Sequence, residues 1–305
     1  MNPIEIYLMS LNSQNSRSQA SSVIRIFLDI KSIGDVRKIN WKSLSLEYVV
    51  RHLKKLESKG LTYRSINAHL SIIKSFVKQC WIAGKVSSNN YLKIDAIPQK
   101  KGYREPVGRS LSPEEVEKLF ESCSKLRNQA QRRRAAAIIA LGFFMGLRRS
   151  EIGGLRRRDI DFDKGFCRVV GKGNKEVSIP LSKLAVPYLK AWIDVCRTQG
   201  VSGPFLFGHI SSAGRILNLR GLRGEAVLIT YNSVVSLATI THKTTAHDMR
   251  RTLITNLLDQ DLSPRIVQAI ARHNSIKTTL SYDRGNLANS MKMAVDGLSK
   301  IYTFV

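Results

Sequence analysis

The longest apolar run in the chain, Ala135–Leu147, is thirteen residues without a charge or a polar side chain. As a helix it would be about 20 Å long, short of the roughly 30 Å hydrocarbon core of a bilayer. It reads instead as a buried helix, and a helix apolar on all sides belongs at the centre of a core. The segments around it must then be amphipathic. With 305 residues and 43% hydrophobic content, there is enough chain for more than one such core, so two domains are expected.

Charge narrows the partner. Forty-nine Lys and Arg stand against twenty-three Asp and Glu, a formal net charge of +26. That self-repulsion is best offset by a polyanion, and nucleic acid is the commonest one; a ribosomal or merely basic protein is the alternative. The excess is spread out, +11 over residues 1–105 and +15 over residues 106–305. Two basic halves imply that both touch a phosphate backbone, as in a clamp. Cys80, Cys123, Cys167 and Cys196 lie far apart with no C-x-x-C pair, which fits a reducing cytoplasm and argues against a zinc site or a disulfide framework. Met1-Asn2-Pro3-Ile4-Glu5 lacks the basic start and apolar run of a signal peptide. The expected location is therefore cytoplasmic, at the nucleoid, with no membrane partner.

The first hundred residues predict helices joined by short turns. Leu46, Val49, Val50, Leu53 and Leu56 recur at helical spacing before Lys59-Gly60. Ile66, Leu70, Ile73 and Val77 repeat the pattern between Thr62 and Gly84, and Ser22–Leu28 reads as a further helix. From Ile94 to Ser110 the pattern lapses. Pro98, Gly102 and Pro106 among Gln99, Lys100, Lys101 and Arg104 read as a basic linker. Ser112-Pro113-Glu114-Glu115 then predicts a helix start with a capping box. Phe166–Val170 and Glu176–Pro180 flank Gly171-Lys172-Gly173-Asn174-Lys175, which predicts a β-hairpin. A last amphipathic stretch carries Leu287, Met291, Val295 and Leu298 on one face. The fold class is mainly α with a small β-hairpin or sheet. Its expected parts are a helical domain over 1–95, a linker over 96–110 and a second domain over 111–305.

Three segments hold candidate chemistry. Arg148, in Gly146-Leu147-Arg148-Arg149-Ser150-Glu151-Ile152, ends the apolar helix and needs an anionic partner, either a ligand or Glu151 or an aspartate nearby. His247 and Arg250 share a face at the start of another helix, where backbone N–H groups favour an anion; a histidine and an arginine of unrelated purpose would look the same. Ala271-Arg272-His273, Thr278-Thr279 and Tyr282 follow, and a tyrosine at such a place is ordinarily packing.

Together and in this order, the segments resemble the tyrosine recombinases, the family of phage integrases and bacterial Xer proteins. Gly146–Glu151 matches the family's first arginine motif, with Arg148 in the active position. Gly171–Lys175 matches its hairpin turn, with Lys172 as the lysine. His247 and Arg250 match its His-x-x-Arg box, His273 the following histidine, and Tyr282 the nucleophile nine residues later. One departure stands beside the site: Ala271-Arg272-His273 where the family often has Leu-Gly-His.

The resemblance implies a helical core-binding (SAM-like) domain and a catalytic domain that close on double-stranded DNA at a specific site. It implies an arginine clamp of Arg148 and Arg250 on the scissile phosphate, His247 as base or proton shuttle, and His273 as a hydrogen bond to the phosphate. Lys172 would be the acid for the departing 5′ oxygen. The expected product is a 3′-phosphotyrosine, formed without metal, ATP or other cofactor. Exchange would run through a Holliday junction in a homo-tetramer docked by Leu287–Val305, with an accessory DNA-bending or directionality factor as an optional partner. Two other readings use the same residues: a type IB topoisomerase relaxing supercoils, and a catalytically silent DNA-binding protein on the same scaffold.

Overall fold

The computed structural model describes residues 2–35, 39–102, 108–171, 175–260 and 262–282. Lys172, the centre of the expected linker and the stretch through Leu287, Met291, Val295 and Leu298 lie outside these residues. The chain divides into two units, Met1–Glu105 and Pro106–Val305. Among the described residues no helix is long and apolar enough to cross a membrane.

The first unit is helical: α1 (Pro3–Met9), α2 (Gln14–Leu28), α3 (Leu46–Ser58), α4 (Tyr63–Ile82) and α5 (Ser88–Asp95). Each begins where a short polar side chain (Asn2, Ser13, Ser45, Thr62 or Ser87) accepts an otherwise unpaired N–H of the first turn. Past the ends of α3 and α4, Gly60 and Gly84 adopt positive φ, where glycine carries no Cβ penalty. Helix α4 is the spine. Its Ile66, Leu70, Ile73, Phe76 and Val77 are buried against Ile24, Phe27, Val49 and Leu53, each side chain worth about 1.5–3 kcal/mol of transfer energy. Residues after α5 stay on this unit. The Asn67 amide holds both the N–H and the carbonyl of Lys100 at 2.9 Å, and Lys74 Nζ donates to the Asp95 and Ile97 carbonyls at 2.5 and 2.7 Å.

The second unit is built around the apolar run. Its described elements are α6 (Pro113–Cys123), α7 (Gln129–Met145), α8 (Arg149–Gly154), β1 (Ile160–Asp161), β2 (Phe166–Val170), β3 (Glu176–Pro180) and α9 (Val186–Thr198). Then come β4 (His209–Ile210), β5 (Ile216–Leu217), α10 (Gly224–Val235), α11 (Ala246–Asp259), α12 (Pro264–Ala271) and α13 (Ile276–Leu280). Strands β1, β2 and β3 form an antiparallel sheet in that order, and β4 pairs with β5. Helix α6 carries the Ser112–Glu115 capping box.

Helix α7 is buried on two sides. Ile138 and Leu141 join a core with Trp192, Phe207 and Val169, while Ile139 and Phe143 face Leu119, Tyr231 and Met249. Its small residues set how closely α11 approaches: a Cβ added at Gly142 would fall 2.6 Å from Met249 Sδ. This contact delivers Arg250, the next residue, to the last turn of α7. At the near end of α11, Leu111 N–H donates to Thr252 Oγ1 at 2.9 Å and Arg109 N–H to Asp248 Oδ1 at 3.2 Å, tying the entry of the unit to the same helix.

Candidate active site

The site forms where α7 ends, α11 begins and α12 turns into α13. Gly146 closes α7 in the left-handed region at φ 58°, leaving its carbonyl turned back as an acceptor. Arg250, 2% exposed, donates through Nη1 to that carbonyl at 2.5 Å and through Nη2 to the carbonyl of Ala271. Burial, then the charges of Arg148 and Arg272, pull its pKa down to about 10, so it stays protonated at neutral pH. A buried guanidinium hydrogen-bonded to carbonyls is solvated but not neutralised.

Arg148 precedes α8 and is about one-third exposed. Its Nη1 donates to Glu151 Oε1 at 2.7 Å, its N–H to Glu151 Oε2 at 2.8 Å, and Nη2 to the Arg272 carbonyl at 3.3 Å. Glu151 is buried and also accepts from Arg272 Nη2 at 2.9 Å. Burial pushes its carboxyl pKa up. The Arg148 N–H and the two arginine charges outweigh that and hold it below the ordinary carboxylate value. Arg148, Arg250 and Arg272 thus converge with one carboxylate among them, an arrangement that favours a bound anion.

His247 sits in the first turn of α11, whose start is fixed by Asp248. Both the N–H and the hydroxyl of Thr245 donate to Asp248 Oδ2, at 2.8 and 2.9 Å. Across the site, the Tyr282 hydroxyl lies 3.2 Å from His247 Nε2. Tyr282 is 8% exposed; its ring stacks on His273 with centroids 5.8 Å apart, and the Arg251 guanidinium lies 4.8 Å from its centroid. His273 Nδ1 is 2.9 Å from Thr279 Oγ1. Burial and then the Arg250 and Arg148 charges lower the pKa of His273 to about 4. Burial, Arg250 and Arg251 likewise hold His247 below its ordinary value. Both imidazoles are neutral at pH 7. A neutral His247 with Nε2 bare accepts from the Tyr282 hydroxyl and is set to take its proton.

The structure therefore gathers Arg148, His247, Arg250, His273 and Tyr282. Lys172 lies outside the described residues, but the root of its hairpin is close by. Gly171 N–H donates to the Lys175 carbonyl at 2.8 Å, and a Cβ built on Gly171 would lie 3.9 Å from Glu151 Oε1. Motif reading assigned no part to Asp248, Arg251, Arg272 or Thr279. The Thr245-x-x-Asp248 spacing of a capping box was the available signal for Asp248. Arg251 acts by a contact across the fold, with the Tyr282 ring, and Thr279 by a local one, with His273 six residues earlier.

Residues 109–288 match the family model described as "Phage integrase family". Tyrosine recombinase XerA of Pyrococcus furiosus is 31% identical over 81% of this chain and 78% of its own length. Tyrosine recombinase XerC of Oceanobacillus iheyensis is 28% identical over 84% and 80%. The crystal structure of a lambda integrase tetramer bound to a Holliday junction shares the fold, with a TM-score of 0.66 at 15% identity over 93% of this chain and 76% of that one. The chain is a member of the phage integrase family and thereby of the tyrosine-type site-specific recombinases.

Proposed function

We propose that this protein cuts and rejoins double-stranded DNA at a specific site through Tyr282. The observation that carries the reading is the Tyr282 hydroxyl at 3.2 Å from the neutral His247, beside guanidiniums that outnumber their carboxylate. Tyr282 Oη attacks the scissile phosphorus, its proton passes to His247 Nε2, and the bond to the 5′ oxygen breaks. Arg148 and Arg250 bind the non-bridging oxygens as negative charge grows on them, each worth about 2–4 kcal/mol by analogy with oxyanion donors. His273, fixed through Nδ1 by Thr279, offers Nε2 to the same phosphate. Lys172 supplies the proton for the 5′ oxygen. The phosphotyrosine keeps the ester's energy, so the reverse steps reseal the strand without ATP.

Residues 1–95 and the second unit act as two arms of a DNA clamp, in keeping with a net charge of +11 over residues 1–105 and +15 over the remainder. The active form is a homo-tetramer that exchanges strands through a Holliday junction, as the relation to lambda integrase suggests. Accessory DNA-bending or directionality factors are compatible with this form. The Leu287–Val305 segment docks on a neighbouring subunit. A groove of about 510 Å³ lined by Val116, Phe120, Phe143, Phe144, Tyr188 and Leu257 supports that role for the second unit. The protein works in the cytoplasm, at the nucleoid.

The test is Tyr282→Phe. It should abolish SDS-resistant attachment to DNA while leaving the dissociation constant within about twofold, since one hydroxyl is lost and no cation. A wild-type protein that relaxes plasmids lacking any selected site would favour the topoisomerase reading. One that never becomes attached to DNA would refute the nucleophile.

A further inference from the structure

Arg272 follows α12 with φ 55° and ψ 45°, the left-handed region that normally takes glycine. An arginine there is strained by its own Cβ, and a helix end alone gives no reason for it. The reason lies in its contacts. The guanidinium is 9% exposed, and Nη2 donates to Glu151 Oε2 at 2.9 Å and to the Gly146 carbonyl at 3.2 Å. Its own carbonyl accepts from Arg148 Nη2 at 3.3 Å. Arg272 therefore meets Arg148 through its main chain and shares the Gly146 carbonyl with Arg250.

We propose that Arg272 is a positioning residue for the phosphate clamp, holding Glu151 and the Gly146 carbonyl so that Arg148 and Arg250 face the scissile phosphate. With Oε2 occupied by Arg272, the Arg148 side chain meets Glu151 only through Nη1 on Oε1. Without the Arg272 side chain, Oε2 keeps only the Arg148 N–H, and Glu151 is freer to turn toward the Arg148 guanidinium and compete with the phosphate. The third guanidinium also raises the formal charge of the cluster, Arg148 and Arg250 alone already outnumbering Glu151. The backbone strain is retained because only a long cationic side chain at this turn reaches both acceptors.

This inference rests on Tyr282 being the nucleophile. Its test uses the full-length protein and a nicked duplex bearing the site that wild type enriches from random-sequence DNA. Arg272→Gly should slow single-turnover adduct formation about tenfold or more while the dissociation constant stays within about twofold. Relief of the left-handed strain offsets part of the lost pair with Glu151, so its melting temperature should fall by less than that of Glu151→Gln. Arg272→Lys, which keeps the charge without the planar fork, should recover part of the rate. Arg272→Gly reacting within about twofold of wild type would overturn the inference. So would a slower rate matched by weaker binding and melting at least as early as that of Glu151→Gln, with Arg272→Lys no faster, since that marks a purely structural arginine. A wild type that forms no adduct would instead overturn the function proposed above, and this inference with it.

Discussion

Replacing Glu151 by Gln removes one negative charge from between Arg148, Arg250 and Arg272 and changes almost no volume. The carboxylate accepts from the Arg148 N–H at 2.8 Å, from Arg148 Nη1 at 2.7 Å and from Arg272 Nη2 at 2.9 Å. A glutamine oxygen can replace some of these, but its NH₂ then faces a guanidinium. Breaking a buried ion pair from one side costs about 3–5 kcal/mol. Water reaches the partly exposed Arg148, so the low end, about 3 kcal/mol, applies here. For a unit the size of Pro106–Val305 this corresponds to a fall of roughly 6–12 °C in its melting transition. Calorimetry that resolves the two units should show the shift in one transition and not in the other. Glu151 has its folded pKa below the unfolded value, so the stability it lends is complete above about pH 4.3 and is lost as pH falls through the folded pKa. The gap between wild type and Glu151→Gln should close in that acid range. At neutral pH, phosphate should narrow it, because an anion in the site replaces the missing carboxylate. A variant melting within 2 °C of wild type at about pH 7, or a gap independent of pH, would refute Glu151 as the counterion of this cluster.

His247→Ala should slow adduct formation by about 10²–10⁴ with DNA affinity unchanged, measured under single-turnover conditions; a variant as fast as wild type would remove the base from the scheme. Because burial and arginine charges hold both histidines low, the acid limb of the cleavage rate should lie beneath the ordinary histidine pKa. A limb centred at or above pH 7 in a rate–pH profile would contradict that. Gly153→Ala places a Cβ 2.2 Å from the Leu222 carbonyl oxygen, so the α8–α10 junction must open at about 1–3 kcal/mol, to be read from the denaturant midpoint of the second unit.

Much of this molecule could be read before folding it, for reasons visible in particular residues. The runs Phe166–Val170 and Glu176–Pro180 are long enough to show β character and are punctuated by glycines, so β2 and β3 were legible. β4 and β5, each of two residues, hold no period to detect. Helices α1 and α5 bury only Pro3, Ile4 and Tyr7, and Ile94, too few positions to display a helical repeat. Ser22–Leu28 proved to be the end of a longer helix, because Gln14–Gln19 is exposed and carries no apolar rhythm.

The site was legible where chemistry is local and illegible where it is assembled. Sequence offered Arg148 either a ligand or Glu151, and the structure shows why these are not rivals. Nη1 is committed to Glu151 Oε1, while the guanidinium as a whole keeps about a third of its surface open. Glu151 then aims Arg148 without neutralising the site, because Arg250 and Arg272 stand beside the same carboxylate. That surplus cannot be seen along the chain, where Arg272 is a departure at a turn, more than a hundred residues from Glu151. Only its φ of 55° reveals that the chain accepts strain to keep it there. Arg272 is thus the position whose replacement should change cleavage rate rather than DNA affinity.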